Sequence, residues 1–264
     1  MWNNCIQLCN FPSNKYTLNS ATMKKSHFCI SLSVLILLTT SCVINLDPLD
    51  SVSGDGKVVK ETREVSEFSG IKVGSGIDVF LTQGDLQSVV VEADENLLEW
   101  IKTEINGDVL HIFTDKTIRL AKTKKVHISC KTLNRLNISS AGDVTSMNRF
   151  KTENLDIDMS SAGDLKFEVD ANELEISLSS AGNAELIGTA NKFRADLSSA
   201  GDLNAYELEA KIGDISVSSA GSAKVFVTGE ASFRSSSAGS IHYKGEPVIK
   251  NISTSSAGSV NKRD

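Results

Sequence analysis

The chain has 264 residues, with 33 acids against 27 lysines and arginines for a formal charge of -6, and its residues are 40% hydrophobic but only 6% aromatic. That length and apolar content suffice for a packed core. The acidic balance argues against nucleic acid as a partner.

Residues 1–22 show neither charge pattern nor hydrophobic period, and Met23 reads as the true start. From there Lys24 and Lys25 give a basic region, Phe28 to Leu38 an apolar stretch, and "LTTSC" a small-residue cleavage site ending at Cys42. The apolar stretch is too short to cross a bilayer. This 23–42 segment resembles a bacterial lipoprotein signal, in which Cys42 is lipidated and becomes the first residue of the mature protein. The resemblance implies a lipid anchor in a membrane and a cell-envelope location, taken as the outer membrane, on either of its faces. Processing removes Cys5, Cys9 and Cys29, leaving Cys130 with no disulfide partner. Cys130 follows Val126 and Ile128 at alternate positions and reads as a buried small hydrophobe. All 33 acids but 24 of the 27 bases follow Cys42, so the mature chain carries -9.

Residues 43–56 read as a flexible linker and 57–135 as an irregular, strand-rich N-terminal part. "FSGIKVGSGIDVFLTQGD" (68–85) and "SVVVEA" (88–93) alternate like strands. In "DENLLEWIKTEI" (94–105) Leu97, Leu98 and Ile101 stand at helical spacing, which predicts one short helix. "DVLHIF" and "KVHISC" then resume the strands, and this part is expected to cap the remainder of the chain.

Residues 136–264 repeat. Ser-Ser-Ala-Gly recurs with its glycine at Gly142, Gly163, Gly182, Gly201, Gly221, Gly239 and Gly258, every 18 to 21 residues. Six residues before each glycine stand Leu136, Ile157, Ile176, Ala195, Ile215, Phe233 and Ile252. Two after it stand Val144, Leu165, Ala184, Leu203, Ala223, Ile241 and Val260. Odd offsets collect charges such as Asp158, Lys166, Glu175, Arg194 and Lys224. A fixed period with strand alternation is the mark of stacked supersecondary units. The expected fold is all-β: a single-stranded parallel β-helix, or β-solenoid, of about seven turns. Like residues would then sit about 4.8 Å apart in columns. An antiparallel meander is the alternative, but it would separate like residues by an intervening strand and leave their uniformity unexplained. The motif would form a tight corner, with glycine supplying the dihedrals of a sharp bend and Ser140, Ser161, Ser180, Ser199, Ser219, Ser237 and Ser256 turned inward. The edge of the last turn is open to pairing with another copy of the chain.

"SGIDV" (75–79), then "LTQGD" (81–85), then the series of small-Gly-Asp turns behind a lipoprotein signal together resemble the head GIN domain family of putative auto-transporter adhesins, over roughly residues 57–260. Asp78 stands where the family's Gly-Ile-Asn has asparagine. The resemblance implies a right-handed parallel β-helix-like fold, an envelope location and an adhesion role, and no catalytic residues.

Chemistry is sparse. Asp143, Asp164, Asn183 and Asp202 should form a ladder, but aspartate and asparagine suit tight turns without any calcium. Lys116 to Arg135 holds seven bases and no acid and reads as a solvated hairpin, or as a contact for anionic glycans or lipid head groups. His111 and His127 have no third ligand beside them, Trp100 reads as a packing residue, and "VGSGID" is followed by a strand, so it is no dinucleotide fingerprint. No cofactor or metal is expected. These features describe a non-catalytic envelope protein that binds or scaffolds, offering a glycan or protein its repetitive surface. The alternative is a polysaccharide lyase or hydrolase on a β-helix, against which stand the turn-to-turn variation of the charges and the lack of long loops to wall a cleft.

Overall fold

A computed structural model describes residues 51–160 and 162–263. Residues 1–50, which include the expected signal and Cys42, lie outside the described residues, as do Ser161 and Asp264.

Leu136, Ile157, Ile176, Ala195, Ile215, Phe233 and Ile252 are directly registered partners in successive parallel strands. The same holds for Val144, Leu165, Ala184, Leu203, Ala223, Ile241 and Val260. No antiparallel segment separates them, so the repeat is a solenoid and not a meander. The strands Asp164–Leu178, Asn183–Leu197, Asp202–Val217 and Ser222–Ser235 are long because each carries one turn around into the next, wrapping the stack in a nearly closed sheet. Inside lies one continuous core, with Phe150, Phe167, Phe193 and Phe233 fully buried. Both columns are buried until the last turn, where Ile252 is 47% exposed.

The stack begins before the first motif. Ile71 registers with Leu136 and Val79 with Val144, so Gly70–Val73 and Asp78–Gln83 form a further turn with Ser75 and Gly76 at its corner, both at φ 61°. Ahead of it Val109–Thr114 and Lys124–Cys130 still pair in parallel with this turn, and beyond them the pairing changes sign. Val58–Arg63 and Ser88–Asp94 run antiparallel, as do Ser88–Asp94 and Lys124–Cys130, and Ile101–Asn106 and Val109–Thr114. The outermost of these strands carry Lys60, Glu61, Arg63, Lys102 and Glu104, charges that discourage further pairing.

The expected helix over 94–105 does not form. Glu95–Leu97 makes a single 3-10 turn, and Ile101–Asn106 is a strand paired with Val109–Thr114 through the two-residue loop Gly107–Asp108, with Gly107 at φ 63°. Gly-Asp as a two-residue loop is a hairpin signal, and β-branched Ile101, Thr103 and Ile105 favour a strand. Both outweigh the helical spacing of Leu97, Leu98 and Ile101.

Order also starts earlier than expected, inside the 43–56 linker. Ser51–Ser53 pairs in parallel with Thr117–Leu120. Asp94, 1% exposed, holds the next few residues in place: its carboxylate accepts N–H groups from Gly56 at 3.1 Å, Lys122 at 3.2 Å and Thr123 at 3.3 Å. Gly54 lies so close that a Cβ would stand 1.8 Å from Asp94 Oδ2. Burial alone would raise the pKa of Asp94, but the backbone donors of Lys122, Gly56 and Thr123 outweigh it and hold the carboxyl below the usual range.

The motif glycines serve a purpose other than the expected one. Gly142, Gly163, Gly201, Gly221, Gly239 and Gly258 all avoid the left-handed region. Instead they supply room. A Cβ would stand 2.2 Å from the Ile77 carbonyl oxygen at Gly142, 2.4 Å from that of Gly142 at Gly163, and 2.6 Å from that of Ser199 at Gly221. Each corner thus rests on the backbone of the corner below.

The serines also differ from expectation. Ser140, Ser180 and Ser199 are half-buried, whereas Ser219, Ser237 and Ser256 are exposed. In the last three corners Ser219–Ala220, Ser237–Ala238 and Ser256–Ala257 take positive φ at both residues, and the next glycine N–H donates three residues back, as in a type I′ turn. Hydroxyls do serve the corners, chiefly from the preceding serine: Ser139 and Ser179 donate to the Val73 and Met159 carbonyls of the turn below, at 3.0 and 3.4 Å. Ser180 Oγ is buried with no partner among the described residues.

Gly163→Ala should cost at least about 2 kcal/mol, lowering Tm by roughly 4–8 °C, while Ser198→Ala at an exposed corner position should leave it within about 2 °C; thermal unfolding followed by circular dichroism measures both. Ser180→Ala removes an unmatched hydroxyl and should leave Tm unchanged or raise it. Asp94→Asn should lower Tm by roughly 4–8 °C at neutral pH. Because the folded-state value of Asp94 is depressed, its contribution is present above the ordinary carboxylate range and lost as pH falls through the lowered value. The gap between the two proteins should therefore narrow below about pH 4.

Candidate functional site

Opposite the Ser-Ser-Ala-Gly corners, each long strand bends a second time. There Ala171 and Ala190 occupy neighbouring inward positions, with Thr152 below and Ala210 above. Small residues bring the backbone close to the axis, while longer polar side chains rise on both sides. The result is a groove of about 1040 Å³ running along the stack. One wall is the registered row Lys151, Asp170, Thr189 and Glu209. The other holds Glu153, Asn172, Asn191 and Lys211. Four turns at about 4.8 Å give these rows a length of roughly 14 Å.

Side chains within the groove bond to their equivalents one turn away. Asn191 Nδ2 donates to Asn172 Oδ1 at 3.0 Å, and Thr189 Oγ1 to Asp170 Oδ1 at 3.0 Å. Lys192 Nζ, just outside, pairs with Glu173 at 2.5 Å. Gln83 fixes the lower end, accepting the Lys151 N–H at 2.8 Å and donating to the Lys131 and Lys151 carbonyls at 3.0 Å. The surface is therefore held in place while amide, hydroxyl, carboxylate and ammonium groups remain exposed to solvent. Such a mixture of donors and acceptors suits a partner rich in hydroxyls and amides better than an apolar one.

A second, smaller concavity of about 500 Å³ lies beside the ladder on the motif edge. Asp164, Asn183, Asp202, Ser222, Ser240 and Ser259 are registered there as the spacing predicts. Asn183 donates to Asp164 at 2.8 Å, and the Asp164 N–H to Asp143 at 3.3 Å, which relieves repulsion within the row. Among the described residues no group of three His, Cys, Asp or Glu side chains is placed to hold a metal.

The other candidates disperse. His111 lies in Val109–Thr114 beside Lys72 and His127 in Lys124–Cys130 beside Phe80, so the two are on different faces and do not meet. His127 bonds Glu92 at 2.9 Å, and this contact lowers the Glu92 carboxyl more than burial raises it. Cys130 is buried, and burial pushes its thiol up to about 11, so it is inert at neutral pH. Trp100 is only half-buried, with the Lys116 ammonium 3.9 Å from its ring centre. The basic run spreads from the strand Thr117–Leu120 to Arg135 at the start of a stacked strand.

The groove is the feature that sequence reasoning missed. Its floor residues stand in apolar columns and read as ordinary core. The signal that could have exposed it is the succession Thr152, Ala171, Ala190, Ala210, a column of small residues away from the motif corners.

Comparison with known proteins agrees with this architecture. A putative adhesin from Bacteroides fragilis superposes with a TM-score of 0.74 at 25% identity, covering 80% of this chain and 100% of that one. A putative lipid binding protein from Parabacteroides distasonis gives 0.66 at 22% identity, over 81% and 100% of the two chains, and a putative adhesin from Parabacteroides merdae gives 0.62 at 20%, with the same coverage. No curated protein matches the sequence. Residues 67–247 match the family described as putative auto-transporter adhesin, head GIN domain. That match spans the first stacked turn and most of the repeats, and the chain belongs to the head GIN domain family.

Proposed function

We propose that the protein is a lipid-anchored envelope protein, attached through Cys42 at the outer membrane, that binds an extended glycan along the polar groove without catalysing a reaction. The observation that carries this reading is the repetition of the groove walls. Asn172 and Asn191, or Asp170 and Thr189, present similar polar groups at the step between turns, so a linear polymer laid along the axis meets several weak contacts in series. The adhesin description of the family supports a binding role. The last turn adds a second contact surface. Val248–Thr254 and Ser259–Lys262 each pair on one side only among the described residues, and Ile249 and Ile252 are exposed there, which suits pairing with a second copy.

A glycan array probed with the mature chain tests the main reading. Asn191→Trp, which fills the groove from an exposed position, should reduce binding of the captured glycan at least tenfold while leaving Tm unchanged. Binding that survives this substitution would move the site elsewhere. Release of unsaturated products from uronate-containing polysaccharides would replace the binding role with a lyase.

A further inference from the structure

We infer that the N-terminal end of the stack rests against an anionic phospholipid surface, with Arg119, Leu120 and Lys122 at the contact. This rests on the reading of Cys42 as the lipidated residue, and it adds an orientation which that reading does not contain.

The first argument is one of length. Cys42 and Ser51 are nine residue steps apart, at most about 30 Å of extended chain. Ser51–Ser53 is locked in parallel to Thr117–Leu120, and the Gly54 N–H donates to the Leu120 carbonyl at 2.7 Å. Asp94 then ties Gly56 to Lys122 and Thr123. A lipid on Cys42 therefore keeps Ser51, and with it the paired Thr117, within roughly 35 Å of the head groups, whatever path the intervening residues take.

The second argument is one of charge. Of the seven bases between Lys116 and Arg135, Lys116, Arg119 and Lys122 lie at this end, in a mature chain that carries -9 as a whole. An anionic surface repels most of this molecule and attracts this end of it. Of the neighbouring acids, Glu95 pairs with Lys57 at 2.7 Å, Asp115 with Lys102 at 3.4 Å, and Asp94 is buried on its backbone donors, while Asp55 is exposed and accepts the Lys57 N–H at 3.0 Å. Arg119 and Lys122 are exposed, although Lys122 Nζ also reaches the Gly56 carbonyl at 3.5 Å. Between them Leu120 is 74% exposed. An apolar side chain flanked by bases is the composition that enters the head-group boundary.

The experiment places the mature lipidated protein on vesicles of phosphatidylcholine alone or mixed equally with phosphatidylglycerol. An environment-sensitive fluorophore at Thr117→Cys reports the contact, because Cys130 is buried and does not compete for label. Blue-shifted emission and protection from an aqueous quencher on the anionic vesicles only, reversed by high salt, is the expected result. Arg119→Glu with Lys122→Glu should abolish the shift while the protein stays on the vesicles. Identical emission on both compositions overturns the inference. So does protection by a soluble anionic polysaccharide and not by phosphatidylglycerol, which would assign the basic end to a polymer. If the protein floats with neither vesicle, Cys42 is not the anchor. Sedimentation of the same protein with anionic vesicles then decides: each base contributes about fivefold, so the double variant should bind at least ~25-fold more weakly, and absence of binding by the unaltered chain overturns the proposal.

Discussion

Each turn of this protein finds its hydrogen-bond partners in other turns. Within the stack a strand pairs with the equivalent strands one period before and after, as Ile176 does with Ile157 and Ala195. The corners obey the same rule at closer range, since Gly163 lies against the carbonyl of Gly142 and Gly221 against that of Ser199. A single turn would leave these groups unmatched and its apolar column half-exposed. Stability is therefore a property of neighbours, and the two ends need separate treatment. Antiparallel strands bearing charges close the stack ahead of the first turn, whereas the described residues leave the last turn paired on one side.

Much of this architecture was legible because the constraint acts on every period alike. Stacking turns a requirement for small or apolar residues into a column, and columns such as Leu136 to Ile252 can be read without coordinates. Features that occur once were harder to see. The corner at Ser75 and Gly76 belongs to the same stack and keeps its spacing, but Ile77 stands where the motif has glycine and so hides the match, and the family signature around "SGIDV" turns out to be the seat on which Gly142 rests. The hairpin at Gly107 was hidden behind an accidental helical spacing. The direction of the serines followed from counting by twos, and counting fails at a corner, where the backbone leaves the strand conformation on which the count depends.

The groove escaped notice for a different reason. Concavity depends on the contrast between a low floor and high walls, and the sequence shows the two separately. Ala171 and Ala190 read as core, while Asp170, Asn172, Thr189 and Asn191 read as a solvated face. Only the bend of the long strands sets them side by side. The groove and the end that carries Arg119 and Lys122 lie on different parts of the chain and have different chemistry, with amides, hydroxyls and charges of both signs in one and bases in the other. A single molecule can thus hold a surface and a polymer without the two competing for the same residues.

The periods are unequal, and the structure shows where the difference goes. The register skips between Ala205 and Glu209, between Ala210 and Ile212, and between Ala231 and Ser232, while the columns above and below stay aligned. Surplus residues are expelled sideways, so the inward face resumes beyond each skip, as Leu203 and Ala205 give way to Leu208 and Ala210. Inheritance can therefore lengthen or shorten this protein freely by whole windings, and by single codons only at those few outlets. Relatives with more or fewer windings would keep the same cross-section and differ in height alone.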